Sequence, residues 1–166
     1  MLGAVVSGPA RQLDPAALGD HVDRLYRAAW ALCGSREDAE DLVQETFAKV
    51  LAKPRFLRND DDLGYLLRVL RNTFISNRRT AARRPSTATA PEDLERFEAS
   101  SQADPVRAFE ARQLYGKIAE LPEHQRDVLV AVDLLGLSYK EAGESLGVPT
   151  GTIMSRLYRA RQALVD

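Results

Sequence analysis

"LSYKEAGESLGVPTGTIMSRLYRARQAL", residues 137–164, decides the fold. Ser138 followed three residues later by Glu141 reads as a capping box, so a short helix opens there and ends at Leu146–Gly147. A second helix follows from Thr150 to about Val165. On it Ile153, Leu157, Ala160 and Leu164 fall at i, i+4, i+7 and i+11, which sets one apolar face toward a core. The opposite arc carries Thr152, Ser155, Arg156 and Arg159, flanked by Tyr158 and Arg161. A capped short helix, a glycine turn and a second helix with a cationic outer arc is the layout of a helix-turn-helix. Arginine on such an arc can bridge guanine O6 and N7 or grip phosphate. A basic helix standing alone would be read as a solvated face. The turn and the short helix before it favour DNA contact.

Outward from this stretch the chain reads as helical almost throughout. Leu18, Val22, Leu25, Ala29 and Leu32 predict a first helix that Gly34 ends. Ser35 and Asp38 resemble a second capping box opening a helix to about Lys53, with Ala39, Val43, Phe47 and Val50 inward and Leu42 and Leu51 beside them. Pro54 stops it, and a loop leads to a third helix from about Leu63 to Thr80, whose apolar face is Leu63, Leu66, Leu67, Leu70 and Phe74. Residues 85–105 are rich in Pro, Ser, Thr and Ala and read as a flexible linker. Asp104-Pro105 then starts a helix with Ala111, Leu114 and Ile118 inward. Pro122 opens another, with Val128, Leu129, Val132 and Leu135 inward, until Gly136. The predicted fold class is all-α: two small helical domains, 10–84 and 106–166, joined by the 85–105 linker, the C-terminal one a helix-turn-helix.

The 166 residues carry a formal charge of −1, but the charge is arranged in blocks. Residues 35–45 and 91–98 are acidic; Arg68, Arg71, Arg78, Arg79, Arg83 and Arg84 form a stretch without acids. A free-standing DNA binder is usually net basic, so this chain alone is expected to bind nucleic acid weakly. No apolar run reaches the roughly 18 residues that span a bilayer, and no membrane insertion or signal peptide is expected. Cys33 is the single cysteine, read as a small core residue in a protein of the reducing cytoplasm. His21 and His124 lie outside the acidic cluster and no glycine-rich phosphate loop exists. No catalytic residue, metal or cofactor is therefore expected.

The stretch "LPEHQRDVLVAVDLLGLSYKEAGESLGVPTGTIMSRLYRARQAL" resembles the promoter-binding C-terminal domain of bacterial sigma-70-family sigma factors, in particular the extracytoplasmic-function (ECF) group, of which "GTxxSRLxRAR" is a specific signal. The resemblance implies that the last helix reads the minus-thirty-five element through Met154, Ser155, Arg156, Tyr158 and Arg159, with Thr152 and Arg161 beside them. Met154 departs from the family's usual Lys or Arg. Ala142 and Gly143 also depart, and a helix-interior glycine costs about 1 kcal/mol of propensity. "EDAEDLVQETFAKVLAK" is similar to the helix by which sigma factors bind the clamp coiled coil of RNA polymerase; Asp38, Asp41 and Glu45 share a face, with Glu40 and Gln44 nearby. "DLGYLLRVLRNTFISNRRTAARR" resembles the segment that opens the minus-ten element. It implies DNA contacts from Arg68, Arg71, Asn72, Arg78, Arg79, Arg83 and Arg84, and from Arg58, Asn59 and Asp60 in the preceding loop, where family members hold a flipped-out base.

The expected partners are RNA polymerase core, through its clamp coiled coil and flap, promoter DNA, and an anti-sigma factor. Two weak DNA contacts become useful when a partner fixes their spacing. The rival reading is a stand-alone helix-turn-helix regulator. Such proteins usually dimerise on two half-sites, and no dimer seam is evident.

Overall fold

The computed structural model describes residues 10–57, 61–83 and 104–166. Among these the chain is helical apart from one ribbon, in which β1 (Arg11–Gln12) pairs antiparallel with β2 (Phe56–Leu57). The ribbon and the ion pair of Arg11 with Asp62 tie the N-terminal segment to the entry of the third helix.

A 3-10 turn, Pro15–His21, is capped by Asp14, whose carboxylate accepts the Ala16 N–H at 2.9 Å, and it leads into α1 (Val22–Cys33). The continuous first helix expected from residue 18 is thus broken in two. Leu18 is buried, yet Val22 is exposed, because the tighter winding of the turn shifts the phase of the apolar stripe. Gly34, at φ 74°, closes α1 in the left-handed region that glycine enters without strain.

Helix α2 (Arg36–Leu51) is capped by Ser35, whose hydroxyl accepts the Asp38 N–H at 3.4 Å and donates to Glu37 at 3.0 Å. Ala39, Leu42, Val43 and Val50 are buried with Thr46, whereas Leu51 at the last turn faces solvent. Helix α3 (Asp62–Arg83) extends beyond both expected ends and buries Leu66, Leu67, Leu70 and Phe74. Both α2 and α3 pack against α1.

The C-terminal module begins with α4 (Pro105–Glu120), capped by Asp104 onto the Val106 N–H at 3.0 Å. Leu114, expected inward, is exposed, and its neighbour Tyr115 is buried instead. The reason is tertiary: α4 lies mainly across α1 of the other module, which selects the next residue round the helix. Helix α5 (Glu123–Leu129) runs into a π turn, Val130–Leu134, that buries Val130 and Ala131 and leaves Val132 only partly covered. Helix α6 (Tyr139–Leu146) carries the full capping box: Ser138 N–H donates to Glu141 at 2.9 Å and Glu141 N–H to the Ser138 hydroxyl at 3.1 Å. Gly147 at φ 71° turns the chain into α7 (Thr150–Val165), which rests on α5 and α6 through Ile153, Leu157 and Ala160.

Gly143 reverses its sequence-based reading. A Cβ built on it lies 2.7 Å from the backbone carbonyl oxygen of Val148. The glycine therefore lets α6 and the entry to α7 approach closely, and the thin packing expected there is a tight contact.

The two modules pack against each other, α4 on α1 and α6 on α3. Their buried residues form one continuous apolar core from Leu13 to Ala160. Most of the stretch read as linker lies outside the described residues; its last two residues, Asp104 and Pro105, open α4.

Candidate nucleic-acid interface

Burying Ile153, Leu157 and Ala160 turns the other side of α7 outward. Met154, Ser155, Tyr158 and Arg159 are exposed, Met154 and Tyr158 by 53% and 66%, and Thr152 and Arg156 are half-buried. The Ser155 hydroxyl donates to the Thr152 carbonyl at 3.2 Å. Arg161 is engaged within the module: its Nε donates to Asp133 Oδ2 at 3.0 Å and its Nη2 to Oδ1 at 2.6 Å. This forked pair joins α7 to the π turn and fixes how the helix is presented. Because Arg161 is half-exposed, Asp133→Ala should cost no more than about 1 kcal/mol of stability, seen as a small fall in the urea midpoint.

On α3, Arg68, Asn72, Arg79 and Arg83 are exposed on the side away from Leu66, Leu70 and Phe74, whereas Arg71 is half-buried and the exposed Arg78 lies beside Phe74 at the edge of the apolar face. Arg84 and the loop residues Arg58, Asn59 and Asp60 lie outside the described residues. Arg78 stacks over the Phe74 ring at 5.4 Å. Beside the start of α3, Phe56, Asp61, Tyr65, Arg68 and Glu144 line a cavity of about 290 Å³.

On α2, Asp38, Asp41 and Gln44 are exposed, and Glu40 and Glu45 half-buried. Glu45 accepts from Asn77 Nδ2 of α3 at 2.8 Å and lies 3.8 Å from Lys49. Burial pushes the Asp38 carboxyl above its usual range, helped by Asp41 and Glu37. Asp38 and Asp41 border a cavity of about 480 Å³ that also touches Cys33, Arg78 and Arg126. Burial, and then Asp38, pushes the Cys33 thiol up to about 12. It stays protonated at neutral pH, as a packing residue rather than a nucleophile.

The structure also brings forward residues that the sequence reading passed over. Arg71 Nε donates to Asp127 Oδ2 at 2.7 Å, and its Nη2 lies 3.2 Å from Glu123 Oε1, both on α5. Burial raises the Asp127 carboxyl, with the Arg71 hydrogen bond pulling the other way. An acid whose folded pKa is raised disfavours the ionised fold. This residue's contribution to stability is therefore greatest below its unfolded pKa and is lost as pH rises through the raised one. Trp30 of α1 stacks on Tyr115 of α4, with ring centroids 4.3 Å apart and planes 20° off parallel. The only available signal was the charged run "EHQRD" at 123–127. Its partner lies more than fifty residues away in sequence, beyond the reach of any local pattern.

A helix-turn-helix behind a three-helix module with an acidic second helix defines a class: the chain belongs to the sigma-70 family of RNA polymerase sigma factors, in its extracytoplasmic-function group. The family models described as "Sigma-70 region 2" and "Sigma-70, region 4" match residues 18–84 and 111–164. The ECF RNA polymerase sigma factor SigE of Mycolicibacterium smegmatis is 38% identical over 149 residues, which cover 88% of this chain and 58% of that protein. The chain thus matches less than two thirds of that relative's length. ECF RNA polymerase sigma factor SigC of Mycobacterium tuberculosis is 36% identical over 129 residues, covering 76% of this chain and 68% of the relative. Among solved structures, the sigma factor RpoE in complex with the anti-sigma factor NepR from Bartonella quintana aligns with a TM-score of 0.66 at 27% identity, over 90% of this chain and 92% of that one. Among the described residues, no helix is long and apolar enough to cross a membrane.

Proposed function

We propose that this chain binds RNA polymerase core and directs it to a set of promoters. In this reading α2 meets the polymerase clamp through Asp38, Glu40, Asp41, Gln44 and Glu45, and the C-terminal module meets the flap. The α3 arginines and Asn72, with Arg58, Asn59 and Asp60 before them and Arg84 after, hold and help melt the minus-ten element. Met154, Ser155, Arg156, Tyr158 and Arg159 read the minus-thirty-five element, while Arg161 acts through its pair with Asp133. The observation that carries this is the occurrence in one chain, in family order, of an exposed acidic α2 and an exposed cationic α7. A stand-alone regulator has no use for the first. An anti-sigma factor is proposed as a further partner, because the Bartonella relative was solved with one.

Binding energy performs the work here, and no covalent step by the chain is required. Phosphate neutralisation by the α3 arginines supplies grip, and base-edge contacts from α7 supply selectivity. Glu45→Lys tests the polymerase contact. It places a cation on the acidic ridge facing a basic partner surface and should weaken capture of core polymerase in a pull-down by about tenfold or more. Undiminished capture sinks the clamp assignment.

A further inference from the structure

The ribbon stands directly beside the stretch to which the proposed function assigns the minus-ten element. In it Arg11 faces Leu57 and Gln12 faces Phe56. The Leu13 N–H donates to the Arg55 carbonyl at 2.7 Å and carries the pairing one residue further. On the other side of residues 58–60, the Arg11 guanidinium pairs with the Asp62 carboxylate, whose side chain is largely covered. One N-terminal segment thus holds the chain just before Arg58, Asn59 and Asp60 and just after them.

The apolar core supplies little of this hold. Of the described residues 52–57, Leu57 alone is buried, while Lys53, Pro54 and Phe56 face solvent. Helix α3 is seated by Leu66, Leu67 and Leu70, and its entry is capped by Asp61, which accepts the Gly64 N–H at 2.7 Å. Leu13 and Leu18 are buried and anchor the N-terminal segment. Because side chains alternate along a strand, the pairing register turns Leu57 inward and Phe56 outward.

We infer that Arg11, Gln12 and Leu13 form a positioning strap that fixes the entry to α3 for reading the minus-ten element. This rests on the reading of α3 and residues 58–60 as DNA contacts. The role is indirect. Both ends of a short stretch are fixed in advance, so less ordering entropy is lost when single-stranded DNA binds. A ladder of two residues a side is marginal by itself. A cavity of about 160 Å³, bordered by Gln12, Leu13, Leu18, Val50 and Leu51, also leaves the segment incompletely packed. Its hold therefore depends on the Arg11–Asp62 pair, and a single substitution can release it.

The test uses the full chain assembled with core polymerase and two single-stranded probes. One is the non-template minus-ten sequence of a promoter selected by the unmodified chain; the other is a scrambled sequence of the same composition. The readout is the ratio of the two affinities. Arg11→Ala should lower that ratio about fivefold, the loss expected on releasing one partly covered ion pair. Asp62→Asn breaks the same pair while changing the charge in the opposite sense, and should lower the ratio likewise. Arg11→Lys keeps the charge pair and should restore most of it. Capture of core polymerase, and affinity for duplex DNA bearing only the minus-thirty-five element, should stay unchanged in all three, which a general loss of folding would not allow. An unchanged ratio in both Arg11→Ala and Asp62→Asn overturns the strap. So does an equal weakening of both probes by Arg11→Ala, which would make Arg11 a phosphate contact instead. Failure of the underlying reading looks different: the unmodified chain would then bind both probes alike, and Arg68→Ala with Asn72→Ala would leave promoter transcription at full level.

Discussion

Gly143→Ala should destabilise the protein, although alanine is the better helix former. The gain in propensity is about 1 kcal/mol. Against it stands a new methyl group 2.7 Å from the Val148 carbonyl oxygen, a backbone atom that cannot rotate away. Val148 N–H is itself bonded to the Gly143 carbonyl at 3.0 Å, so the two segments are pinned on each other. Overpacking of this kind costs about 1–3 kcal/mol, and a valine, with two further methyl groups, costs more. Gly151→Ala is the control: a Cβ there meets nothing within 4 Å, and the substitution should be neutral or stabilising. Urea denaturation of the three variants decides it. A midpoint for Gly143→Ala at or above that of the unmodified chain overturns the close-approach account.

Arg156→Ala together with Arg159→Ala should abolish most promoter-specific transcription while sparing capture of core polymerase. Arg159 is exposed on the outer arc of α7 and Arg156 half-buried beside it, whereas Arg161 is already committed to Asp133. A bidentate base contact is worth about 1–3 kcal/mol. Losing two, about 2–6 kcal/mol, corresponds to about thirtyfold at the least and about twenty-thousandfold at the most, at about 1.4 kcal/mol per tenfold. The measurement is in vitro transcription with core polymerase from a promoter selected by the unmodified chain, beside a pull-down of core. Full-level transcription by the double variant removes α7 from promoter reading.

Much of the architecture was legible locally. The capping box at Ser138 and Glu141, the glycine turns at residues 34, 136 and 147, and the Ile153-Leu157-Ala160 stripe all depend on residues within a few positions of one another, where caps and periodicity act. The readings that changed share a different cause. Leu114 and Tyr115 are adjacent on α4, and only the presence of Trp30 across the seam selects which of them is buried. Gly143 reads as a weakness along the helix and becomes necessary only when the α6–α7 turn closes over it. Arg161 belongs to the arc by spacing, and Asp133 withdraws it.

The amino-acid sequence by itself determined the helical class, the helix-turn-helix, the acidic ridge on α2 and the family, because each is written in spacing and string order. Only the tertiary structure decided that Arg71 faces Asp127 and Glu123, that Arg161 is tied down, and that the two modules share one core. Those outcomes depend on contacts between residues far apart in sequence, whose geometry exists only once burial of apolar surface has brought the helices together.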